Sequence, residues 1–172
     1  AMQVDFAISM EMNIFKAIES IWKVENLDEL FELFLSHLLQ FTQVRAADIL
    51  LFNKRQDLLS VATAVNKAQE GTDRQEIRVQ SYNIHLPTIH PVFAIPLLGS
   101  GGPLGFLRVQ LNLSAIPKKE QLHSIHFAGQ QLAIKIREIM LHKEVERARV
   151  ELENMTLNNR ETVQQVTSLS KE

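Results

Sequence analysis

"FAIPLLGSGGPLGFLRVQL" occupies Phe93–Leu111 and holds four of the chain's six glycines. Two readings compete for it: a glycine-rich loop that cradles a phosphate, or a tight reversal between two strands. A phosphate loop needs a strand before it and a helix N-terminus after it, because free helix amides bind the anion. Here both flanks read as strand. Val92–Leu98 is an apolar run in which Pro96 marks an edge or a bulge, and Leu104–Leu111 alternates. The spacing Gly99-Ser100-Gly101-Gly102-Pro103-Leu104-Gly105 fits neither G-x-G-x-x-G nor G-x-x-x-x-G-K-S/T, and no lysine follows. The stretch therefore reads as a hairpin, its glycines supplying positive φ.

Upstream, the apolar residues keep two periods. Phe6–Lys23 reads as an amphipathic helix, with Met10, Ile14, Ala17, Ile18 and Ile21 on one stripe. Asn26 can cap a second helix, with Glu29 at the third position as in a capping box. That helix, Leu27 to about Gln43, is apolar over much of its circumference and should be buried against something large. The period then drops to two. Ala46–Asn53 and Leu58–Asn66 read as strands around the polar turn "KRQD". Asn66–Gln75 reads as a loop. Glu76–Tyr82 alternates, with Ile77 and Val79 opposed to Arg78 and Gln80, and "NIHLPTIHP" reads as a proline-punctuated connection. Downstream, Pro117 suits a first helical position, and helix is expected from there to about Ser170. At about 1.5 Å per residue so long a helix outspans a domain of this size, so its distal half should project.

Bulk composition removes several functions. The 172 residues are 45% hydrophobic and 22% charged, which suits one globular domain plus something extra. A formal charge of −2 gives no basic field for nucleic acid. There is no cysteine, so thiolate metal sites, disulfides and thiol nucleophiles are excluded; the absence fits a reducing compartment. No apolar run approaches the roughly 20 residues of a membrane span, and the N-terminus lacks a secretion-signal pattern. Ala1 ahead of Met2, and a helical pattern still running at Lys171-Glu172, lead us to expect a piece of a longer protein.

"LDELFELFLSHLLQFTQVRAADILLFN", "VFAIPLLGSGGPLGFLRVQL" and "QLHSIHFAGQQLAIKIRE" together resemble a GAF domain, the small-molecule sensing module of signalling proteins. The second is the most telling: an apolar strand ending in I-P-L, a glycine turn, then P-L-G-F-L-R-V. The likeness spans about Leu27 to Glu138. It implies an α+β fold: an antiparallel sheet with the terminal helices packed on one face, a ligand pocket on the other, and a long C-terminal helix extending as a coiled coil. The expected parts are an N-terminal amphipathic helix (1–25), a GAF-like domain (26–140) and a coiled-coil signalling helix (141–172). This chain also departs from the family. Only the 25 residues 67–91 separate the second strand from the I-P-L strand, where pocket-covering helices usually sit, so the pocket would be shallow or absent. With no cysteine for bilin attachment and no N-K-F-D-E signature, a covalently held bilin is excluded and cyclic-nucleotide sensing weakened.

Alternation nominates the pocket side. Leu107, Val109 and Leu111 would face the helices, and Phe106, Arg108 and Gln110 the pocket. Asp48, Leu50 and Phe52 form the matching set on the first strand. If the first and last strands are neighbours, as the resemblance implies, Asp48 and Arg108 can pair. Arg108 would then either bind an anionic ligand or serve as one half of a structural ion pair, and charged side chains are usually solvated or paired. Tyr82 and His85 complete the candidate ligand-binding set. His85 with His90, or His123 with His126, could hold a metal, but two ligands make a weak site and the plainer reading is a loop or a helix face. No Ser-His-Asp order, H-E-x-x-H or defined carboxylate pair is present. We expect no catalysis, no metal and no cofactor.

The terminal helix carries two stripes. Leu122, Ile125, Gly129, Leu132, Ile136 and Ile139 should dock on the sheet. From Leu141 another register runs through Val145, Ala148, Leu152, Met155, Asn159, Thr162, Val166 and Leu169, with spacings alternating four and three. That is a heptad seam, in which Asn159 would pair with its copy and specify two strands. Glu144 and Arg149 fall on flanking positions where parallel helices exchange charges. The alternative is a single helix packed back on its own domain. We expect a cytoplasmic, homodimeric sensory domain that passes a ligand- or partner-induced change to an output domain in cis, such as a kinase, diguanylate cyclase or phosphatase. A ligand-free dimerisation and spacer module is the other reading.

Overall fold

In a computed structural model, which describes residues 14–41, 44–67, 74–79, 92–111 and 118–171, the glycine stretch is a β-hairpin. Helices α1 (14–22) and α2 (Leu27–Leu39) are followed by strands β1 (Val44–Phe52), β2 (Leu58–Lys67), β3 (Arg74–Val79), β4 (Val92–Gly99) and β5 (Gly102–Leu111), then helix α3 (Lys119–Ser170). The strands form one antiparallel sheet in the order β3-β2-β1-β5-β4. β4 is thus an edge strand, which lets Pro96 sit in it without costing the sheet an interior hydrogen bond. The ladder slips one register between Leu97 and Leu98.

The glycines work differently from expectation. Among the described glycines only Gly102 has a positive φ, of 120°, and it pairs with Gly99 across the Ser100-Gly101 turn. Gly105 is needed for room instead. A Cβ there would lie 1.8 Å from the Leu50 carbonyl oxygen, so only a residue without one lets β5 approach β1 this closely.

Several element bounds also differ. β3 begins at Arg74, inside the stretch read as loop, because backbone pairing of Arg74 with Lys67 and Gln75 with Asn66 needs no apolar alternation. α2 stops at Leu39, with Gln40 as its C-cap. α3 begins at Lys119, where the Lys118 N–H donates to Gln121 Oε1 at 3.0 Å, half of a capping box; Pro117 lies outside the described residues. The Asn26 cap forms as expected, its Oδ1 accepting from the N–H groups of Asp28 and Glu29. The helix read from Phe6 is described only from residue 14, so Met10 lies outside the described residues.

The chain divides into two units, Ala1–Arg137 and Glu138–Glu172. In the first, the terminal helices pack on one face of the sheet. α2 turns Leu30, Phe31, Phe34, Leu35, Leu38 and Leu39 inward and lies against β1, β2 and β3. The first part of α3 covers β4 and β5. A Cβ on Gly129 would meet Ile95 and Leu107, and Gln130 Nε2 donates to the Pro96 carbonyl at 3.3 Å. Lys135 Nζ reaches the carbonyl of Trp22 at 2.9 Å, tying the end of α1 beside α3. Ile49, Ala62, Ala64, Leu107, Leu132 and Ile136 are fully buried in this layer; each such side chain contributes about 1.5–3 kcal/mol if aliphatic and large.

The second unit is the distal part of α3. Every described residue from Met140 to Lys171 is exposed. Arg149 bridges Glu146 and Glu153 on successive turns, the i,i+3 and i,i+4 pairing that supports a helix in water.

Candidate functional site

The candidate site lies on the sheet face turned away from the terminal helices. Strand register brings the nominated residues into cross-strand pairs: Asp48 stands opposite Arg108 and Leu50 opposite Phe106. Phe52 meets Phe106 edge to face, their ring centroids 6.2 Å apart at 66°. Gln110 follows on the same side of β5 and is fully buried, as is Asp48. Six of the eight nominated residues therefore share one face. Tyr82 and His85, with His90, lie outside the described residues.

Strand β2 adds two residues that alternation alone could not supply. Ile49 pairs with Ala62 but Leu50 with Ser60, so Val61 is an extra residue in the ladder. Such a bulge switches the parity of a strand. Ser60 and Thr63, three apart, consequently point to the same face as Asp48. Thr63 is 2% exposed. The Ser60 Oγ is buried and makes no hydrogen bond among the described residues. β3 contributes a further guanidinium: Arg78 pairs in register with Thr63 and its Nε donates to Glu76 Oε1 at 2.8 Å. One cross-strand row thus reads Arg78, Thr63, Asp48, Arg108, Ala94.

A carboxylate with no exposed surface in mid-sheet must be paired, because an isolated buried charge is prohibitively costly. Arg108 supplies the partner. Its Nε donates to Asp48 Oδ1 at 2.8 Å and its Nη2 to Oδ2, a bidentate pair. The hydrogen bond to Asp48, together with that residue's charge, holds the guanidinium above its ordinary pKa against the opposing effect of partial burial. About a third of the Arg108 side chain stays exposed. With two of its five N–H groups on Asp48, its remaining donors are oriented by a rigid fork. The arrangement is electrostatic and positional. It offers guanidinium donors, aromatic edges and buried hydroxyls.

His123 and His126 are both exposed on α3, and among the described residues no three metal-ligating side chains cluster. Among those residues, too, no helix is long and apolar enough to cross a membrane.

A five-stranded antiparallel sheet with terminal helices on one face is a small α+β architecture. Solved structures identify it as the GAF fold. The GAF domain assigned to a sensor histidine kinase of Pseudomonas syringae pv. tomato superposes with a TM-score of 0.62 at 16% identity, over 85% of this chain and 97% of that one. The GAF domain of an Acinetobacter phosphoenolpyruvate-protein phosphotransferase gives 0.55 at 13% identity, over 82% and 96%. A protein in a far-red absorbing dark state with bound biliverdin IXa gives 0.54 at 10% identity, over 74% and 99%. No protein-family profile and no curated protein sequence matches the chain.

Proposed function

We propose that this chain is a regulatory, non-catalytic sensory domain that binds an anionic small molecule on the second face of its sheet, around Asp48, Arg108 and Phe106. The observation that carries this reading is the Asp48–Arg108 pair: a guanidinium about one-third exposed, held in place by a buried carboxylate, on the face a GAF fold leaves clear of its terminal helices. A biliverdin-bound protein of the same fold adds support for small-molecule binding. Ligand binding that favours one of two arrangements shifts the population toward it. The change passes along α3, whose Leu141–Leu169 seam pairs with a second copy in a parallel coiled coil, to an output domain in cis such as a kinase, diguanylate cyclase or phosphatase. The setting is a cytoplasmic signalling protein.

Thermal-shift measurement against a library of small carboxylates and phosphates tests it. A saturable rise in melting temperature, lost in Arg108→Ala and weakened in Arg108→Lys, is expected. Arg108→Lys keeps a cation beside Asp48 and serves as the readout if the alanine variant does not fold. No saturable shift across the library favours the second reading, a ligand-free dimerisation and spacer module, which the short 67–91 connection supports.

A further inference from the structure

The sheet face that carries Arg108 is buried in the reverse of the usual order. Around the guanidinium its polar side chains are shut away: Asp48 has no exposed surface and Thr63 is 2% exposed. Further along the same strands the side chains are apolar and meet water. Leu58 and Leu98 are 40% and 54% exposed, and Phe52 and Phe106 are part-exposed. Polar side chains ordinarily take the wet positions and apolar ones the dry.

Register assembles these apolar residues into one patch. Leu58 pairs with Phe52, and Leu50 stands opposite Phe106, which pairs with Pro96. Leu98 follows Pro96 on the same side of β4. The irregularity beyond Leu97 places its extra residue, Leu104, on β5, so alternation along β4 is unbroken. Burial agrees: Ile95 and Leu97 are buried, while Ala94 and Leu98 are exposed.

The patch is small. Phe52 lies four residues along β1 from Asp48, about 14 Å at the rise of a strand. From β2 to β4 is three strand spacings, again about 14 Å. An area of roughly 200 Å² falls far short of the roughly 800 Å² that each partner commits to a stable protein interface. It suits a small molecule with an apolar body.

The head group follows from the charges beside it. Arg108 has donors to spare, but Asp48 offsets most of its charge. Arg78, across β2, is engaged by Glu76. The guanidinium therefore offers oriented N–H groups with little net positive field. That suits one carboxylate, which an Arg fork matches geometrically. A phosphate dianion or a dicarboxylate brings a second negative charge that Asp48 repels.

We infer that the ligand is an apolar monocarboxylic acid, its carboxylate on the outer N–H groups of Arg108 and its alkyl or aryl body laid along Phe106 and Phe52 toward Leu58 and Leu98. This rests on the reading of Arg108 as an anion-binding residue and narrows it to one chemical class.

Isothermal titration of the full chain tests it, with octanoate and phenylbutyrate as probes against acetate, succinate, inorganic phosphate and uncharged octanamide. One equivalent of each apolar acid should bind at least roughly tenfold more tightly than acetate or succinate, with the negative heat-capacity change of apolar burial. Leu58→Ser with Leu98→Ser, both at exposed positions, should weaken octanoate severalfold and leave acetate unchanged. Equal binding of all the anions overturns the apolar class and leaves an anion site at Arg108 standing. Octanamide binding as well as octanoate removes Arg108 from the site and overturns both readings. Octanoate binding that the double variant leaves untouched, or that exceeds one equivalent, overturns the placement on this patch. No binding by any probe overturns both.

Discussion

Arg108 grips both carboxylate oxygens of Asp48, a residue with no exposed surface, from the strand next to it at the centre of the sheet. The two partners are unequal in their access to water, since the Arg108 side chain is 32% exposed. That inequality sets what each truncation should do.

Arg108→Ala strands a buried carboxylate, whereas Asp48→Asn leaves a guanidinium that can turn toward solvent. Removing one partner of a buried pair costs about 3–5 kcal/mol. Partial exposure of Arg108 places its loss near about 3 kcal/mol, and Asp48→Asn should cost clearly less. Urea unfolding of both variants checks the order. Equal or reversed losses would mean that Asp48 is solvated.

Gly105→Ala should be among the most damaging single-methyl additions in the chain. The new Cβ meets backbone, the Leu50 carbonyl, at 1.8 Å, and neither β1 nor β5 can yield without disturbing the ladder. Overpacking costs about 1–3 kcal/mol, occasionally more, and the upper end is expected. Gly101→Ala, with nothing within 4 Å and no positive φ, should change stability by no more than about 0.5 kcal/mol. Thermal melts of the pair decide it.

Asn159→Leu tests the distal seam. A buried asparagine in a coiled-coil core specifies register at some cost in stability. The variant should melt higher and show mixed oligomers in sedimentation. Unchanged melting together with an unchanged oligomeric state would remove Asn159 from any core position.

Acid should loosen the distal helix through Glu146. Its carboxyl is held below its ordinary value of 4.5, first by the hydrogen bond from Arg149 and then by that residue's charge. A depressed carboxyl contributes stability above its unfolded pKa and loses it as pH falls through the lower folded value. The Arg149 guanidinium, raised by the same partner, stays charged throughout. Helicity followed down an acid titration should therefore fall below pH 4.5, less so in Glu146→Gln and at high salt. A salt-independent profile identical in that variant would refute the contribution.

How much of this was legible beforehand varies with the interaction. Asn26 was readable as a cap because its partners are two and three residues away. The alternation of Phe106, Arg108 and Gln110 against Leu107, Val109 and Leu111 was readable because the strand period is two. β3 was misplaced at its start, since Arg74 and Gln75 join the sheet by backbone pairing that carries no side-chain pattern. Among the described glycines the expected positive φ belongs to Gly102 alone, and the need for Gly105 arises from a carbonyl fifty-five residues earlier in sequence.

Local sequence, then, determined which segments become helix or strand, where α2 begins and which side of β5 is apolar, because each depends on contacts within about one turn or one pleat. Tertiary structure alone decided that β1 and β5 lie together with Asp48 in register with Arg108, and that a bulge at Val61 turns Ser60 and Thr63 onto the same face. Register and bulges follow from how whole strands meet across loops, and no short-range pattern along a single strand encodes its partner.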